Sequence, residues 1–131
     1  MKSAARSSLN DVPSKMSLAW RCLQSMASEL HPLHFPPPGS TIEAGTIPQR
    51  FAGATGFELS VAEGAMTRKH PKLMRLRRAA YQGELIDVSA HVKCSTRTHF
   101  LRVHYHAHQR ERLLVIDHCG DHVETAGTRR R

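Results

Sequence analysis

Three β-rich runs in the last third of the chain, ELIDVSAHVKC (84–94), HFLRVHYHAH (99–108) and RLLVIDHC (112–119), constrain its fold more than any other feature. Side chains of a strand alternate between two faces. The first run sends Ile86, Val88, Ala90 and Val92 one way and Asp87, Ser89, His91 and Lys93 the other. In the second, Leu101, Val103 and Tyr105 oppose Phe100, Arg102, His104 and His106. The third is apolar until Asp117 and His118, as a central strand covered on both sides would be. The link at 109–111 is short enough for a hairpin. The expectation is a three-stranded antiparallel meander, aliphatic on one face, with His91, Arg102, His104 and His106 on the other.

Upstream, residues 1–13 read as a disordered lead-in without the apolar stretch of a secretory signal. Ser14 can cap a helix whose apolar positions are Met16, Ala19, Trp20, Leu23, Met26, Ala27 and Leu30. This spacing places Trp20 in the core, leaves Cys22 off the stripe and ends the helix at Pro32. Residues 31–56, rich in Pro and Gly, read as a stiff connector, followed by a short strand at 57–61. Residues 67–82 read as a second helix, with Leu73, Leu76, Ala80 and Tyr81 as its stripe and Gly83 as its stop. The whole is a single α+β domain over 14–128, one or two helices packed on a small antiparallel sheet, with a basic tail at 129–131.

Charge divides the 131-residue chain sharply. Residues 1–66 hold five Lys/Arg and five Asp/Glu, whereas residues 67–131 hold fourteen against six and so carry the entire net charge of +8. Eight of the ten histidines also lie there. Such a field favours polyanion partners, with Arg68, Lys69, Lys72, Arg75, Arg77, Arg78 and Arg102 as candidate phosphate contacts. The three cysteines are widely spaced and form no CxxC, which fits a reducing, cytoplasmic compartment better than a disulfide framework. No stretch approaches the roughly 18 apolar residues of a membrane span.

Two constellations could carry chemistry. Imidazoles near neutral pKa serve as general acid and base, and arginine steadies a phosphorane, so Arg102, His104, His106 and His118 are the candidate catalytic set of a small RNase. Zinc accepts mixed nitrogen and sulfur ligands, so His104, His106, His118, Cys119 and His122 are candidate metal ligands, although the usual ligand spacings are missing. The plain alternative is a solvated, histidine-rich sheet face. No phosphate-cradling glycine loop is present.

The run LRVHYHAHQRERLLVIDHCGDHVETAGT resembles the end of a loose group of uncharacterised bacterial proteins that finish in strand, hairpin and strand, then Gly-x-His and a trailing Thr. That resemblance covers about residues 84–128 and implies no activity. The layout is also similar, in topology alone, to RelE/ParE-type toxins, in which helices precede an antiparallel sheet and late-strand basic residues contact RNA. It implies such a role for Arg102 and the 118–122 stretch. The long Pro/Gly-rich segment between the helices departs from that pattern. Three functions follow as expectations: a basic nucleic-acid-binding domain, with a toxin-type RNase as its narrower form; a non-catalytic domain that pairs with a protein partner or a second copy; and a zinc-stabilised domain.

Overall fold

A computed structural model of the protein describes residues 13–96 and 99–120. Helix α1 (Pro13–Ser25) runs into a π-helical turn (Met26–Leu30) and a last helical turn, α2 (His31–His34). The helical segment therefore continues past Pro32 instead of ending there. A proline ring collides with the carbonyl four residues back, here Ser28, and the wider π turn opens the ladder at that place.

The buried stripe is Leu18, Ala19, Cys22, Met26 and Leu30. This corrects the expected one. Cys22 is fully buried, while Trp20 is 63% exposed and Met16 is exposed too. The connector holds more structure than its composition suggested. A 3₁₀ turn (Ala44–Thr46) leads into α3 (Ile47–Thr55), which buries Ile47 and Phe51 and stops at Gly56 in the left-handed conformation.

Strand β1 (Glu58–Ser60) is followed by two short helical turns, α4 (Ala65–Arg68) and α5 (Pro71–Arg75), and by the strands β2 (Arg78–Tyr81) and β3 (Glu84–Asp87). The expected helix over 67–82 is thus broken. His70 precedes a proline and is held extended, which ends α4. Gln82 and Gly83 both have positive φ, the signature of a two-residue I′ hairpin turn, so Gly83 turns a hairpin and stops no helix.

The first β run is likewise split. β3 pairs with β2, and only β4 (Ala90–Ser95) joins the main sheet. With β5 (Phe100–His108) and β6 (Leu113–Gly120) it forms the expected antiparallel meander, and β1 adds on the outside in the order β1-β4-β5-β6. β6 is an edge strand, not a central one, and leaves Leu113 and Ile116 exposed.

The alternation of faces holds in the sheet. Leu59, Val92, Cys94, Leu101, Val103 and Tyr105 pack against α1 and α3 in one core. Opposite that core, His91 faces His104, Lys93 faces Arg102 and His104 faces His118. Past His104 the pairing shifts, because Tyr105 pairs with Ile116 and leaves Asp117 as the extra residue of a bulge. No helix among the described residues is long and apolar enough to cross a membrane.

Candidate functional site

The polar face of the sheet is covered, not solvated. Residues 87–89 cross it on their way from the β2–β3 hairpin to β4. Three consecutive carbonyls of this strap each accept a hydrogen bond from an imidazole Nδ1–H: His106 to Asp87 O at 2.9 Å, His104 to Val88 O at 2.8 Å and His91 to Ser89 O at 2.8 Å. A carbonyl can only accept, so each Nδ1 carries a proton and, in the neutral ring, each Nε2 carries the lone pair. His91 and His104 are both only 3% exposed, with ring centroids 4.7 Å apart. Burial disfavours their charged forms and lowers both pKa values, that of His104 to about 4.

Glu63 completes this group. It lies in the loop after β1, is 8% exposed, and brings a carboxylate oxygen to the two rings: the three ligand atoms all lie within 4.8 Å of one another. The buried Arg77 guanidinium orients it, with Nε donating to Glu63 Oε2 at 2.7 Å and Nη1 to Leu73 O at 2.9 Å. Arg102 reaches the group from β5 and donates from Nη1 to His91 Nε2 at 3.1 Å. Two guanidinium groups therefore stand beside one carboxylate. Burial also lowers the pKa of Arg102. Its Nε, like the Oγ of Ser89, is buried without a hydrogen-bond partner among the described residues.

The structure brings together part of each expected set. Arg102, His104 and His118 share one face, and His118 meets His104 edge-on at 5.8 Å between centroids. His106 lies on that face too, one step along β5, with His108 6.0 Å away between ring centroids. Cys119 is turned to the other face and packs against the core, so it is removed from any ligand set on the histidine side. His122 lies outside the described residues, as does the 129–131 tail.

Of the candidate phosphate contacts, Arg68, Lys69, Lys72, Arg75 and Arg78 are exposed and make no ion pair among the described residues. Arg77 is a correction. It is 1% exposed and bound to Glu63, out of reach of a phosphate.

Glu63 was missed from sequence because its partners lie far along the chain. One signal existed: it is the sole carboxylate between Glu58 and Glu84, a stretch with six Lys/Arg. A cleft of about 360 Å³ opens beside the group, with Glu63, Ser89, Asp87, His106 and the hydrogen-bonded pair His34–Tyr105 in its wall. Comparison of the chain with protein-family models, curated proteins and solved structures gives no match.

Proposed function

We propose that the protein binds nucleic acid through the row of cations from Arg68 to Arg78. One observation carries this reading: five exposed cations, with no ion pair among the described residues, lie within eleven residues, and no carboxylate occurs between Glu63 and Glu84 to neutralise them. Cations held in this way exchange condensed counterions for phosphates. If all five engage duplex DNA, the log–log salt slope is about −4.5, a loss of about 500-fold in affinity between roughly 50 and 200 mM salt.

Anisotropy of labelled duplex and single-stranded oligonucleotides measures this directly. Replacing Lys69, Lys72 and Arg75 together by alanine should flatten the slope by about 2.7. Affinity that ignores salt, or a triple variant that binds like the parent, overturns the reading.

Hydrolysis of the bound strand by Arg102, His104, His106 and His118 would need imidazoles that trade protons near neutrality. His104 is held neutral far below that range, and His106 stands with His108. Binding, not cleavage, is the activity we propose.

A second reading, a zinc-stabilised domain, is favoured by the buried group of Glu63, His91 and His104. Protein prepared without an affinity tag should then carry about one zinc per chain and melt at lower temperature after chelation. Metal-free protein whose melting is unmoved by added zinc overturns it. We propose a cytoplasmic location for the protein, a reading supported by the free thiols of Cys22, Cys94 and Cys119.

A further inference from the structure

We propose that Glu63, His91 and His104 bind one divalent first-row transition ion through a carboxylate oxygen and two Nε2 atoms, in direct competition with Arg102. The proposal rests on the zinc reading in one respect, that the polar face takes a metal. It adds the donor atoms, fixed by the strap carbonyls, and the competitor.

The ligands come from rigid places. His91 and His104 are register partners on adjacent central strands, and Arg77 holds the Glu63 carboxylate from the other side. Metal-bound histidines commonly donate the second ring N–H to a carbonyl or carboxylate, which fixes the tautomer. Here Ser89 O already accepts that bond from His91, and Val88 O accepts it from His104. Two imidazoles with one carboxylate suit zinc, iron, cobalt or nickel, whereas calcium and magnesium take oxygen ligands. An ion bonded at about 2.0–2.2 Å needs its ligand atoms roughly 3–3.5 Å apart, so ligand atoms that lie within 4.8 Å of one another draw together on binding. Three protein ligands leave at least one coordination position open.

Arg102 opposes this closure twice. Its Nη1 uses the His91 Nε2 lone pair that the ion requires. Its charge, added to that of Arg77, repels a dication. Arg102 is only half-buried and its Nε is unpartnered where it stands, so it can turn outward and release the lone pair.

The test uses the full, untagged chain, stripped of metal and titrated with Co²⁺, whose visible d–d absorption reports coordination. One saturable equivalent displaced by Zn²⁺ is expected. His91→Asn and His104→Asn keep an N–H in place for the strap carbonyls. Each should weaken Co²⁺ binding by more than the roughly 10–100-fold typical of outer-shell changes. Arg102→Gln should tighten binding by about tenfold, since it removes a nearby positive charge.

Failure to bind Co²⁺ overturns both this proposal and the zinc reading. Co²⁺ binding that is unaffected by both Asn variants overturns the ligand assignment and leaves the zinc reading standing. Weaker binding by Arg102→Gln overturns the competition. Should an Asn variant fail to fold, imidazole ¹⁵N resonances of the parent protein decide the matter: added Zn²⁺ must shift Nε2 of His91 and His104, and unmoved resonances refute the site.

Discussion

Lowering the pH of metal-free protein from about 7 to about 4 should cost the fold about 3 kcal/mol through His104 alone. The ring is buried between the sheet and the strap, and burial drops its pKa from 6.5 to about 4. Below pH 6.5 the unfolded chain takes up a proton that the folded chain refuses. Stability present above pH 6.5 is therefore lost progressively down to about pH 4, below which both states are protonated and the loss stops. At about 1.4 kcal/mol per pH unit, that interval bounds the loss at about 3.5 kcal/mol, and about 3 kcal/mol of it has accrued at pH 4, where the folded ring is half protonated. His91 and His34 are shifted in the same direction, also by burial, and add to the loss. Urea unfolding in chelator at several pH values measures the effect. His104→Asn isolates the share of this ring, because asparagine can keep a donor toward Val88 O but does not titrate. The parent protein should lose about 3 kcal/mol more than the variant between pH 7 and pH 4. Parallel stability curves for the two proteins would refute the reasoning.

Replacing Arg77 by methionine takes the ion-pair partner from the buried Glu63 carboxylate and should cost about 3–5 kcal/mol by chemical denaturation. The double variant Glu63→Leu, Arg77→Met should recover much of that loss, and a loss equal to the sum of the two single variants would show that the pair is not coupled. Trp20→Lys on the exposed side of α1 should change stability by less than about 0.5 kcal/mol. Leu30→Ala, at a fully buried position, should cost about 2–5 kcal/mol, and the reverse order would move the helix face. Gly83→Ala, at φ +81°, should cost about 1–2 kcal/mol, since alanine resists that conformation. Unchanged melting would argue against the hairpin turn.

The sheet was legible in the sequence because its period-2 pattern is local and each strand states its own faces. Val92, Leu101 and Val103 on one side, with His91, Arg102 and His104 on the other, follow from alternation alone. The α1 face was less legible. Apolar residues surround much of that helix, so its pattern admits two stripes, and only the partner sheet decides between Trp20 and Cys22. The stretch 67–82 misleads for a different reason. Its Leu, Ala, Lys and Arg residues are all good helix formers, and two short signals, His70 before Pro71 and the Gln82–Gly83 turn, override them. The candidate site was half legible. His91 and His104 share a face by periodicity, but the loop that delivers Glu63 and the strap that aims the imidazoles are products of tertiary packing.

The stitching of Asp87, Val88 and Ser89 to His106, His104 and His91 has a consequence for how the chain assembles. Each bond on β5 spans 16 to 19 residues, and all three rings must stand on one side before the crossing segment has anything to grip. The β4–β5 ladder should therefore form early and the β2–β3 hairpin should dock afterwards as a unit. In pulse-labelling hydrogen exchange, amides of the ladder would gain protection first, and those of residues 78–89 would follow together in one later phase.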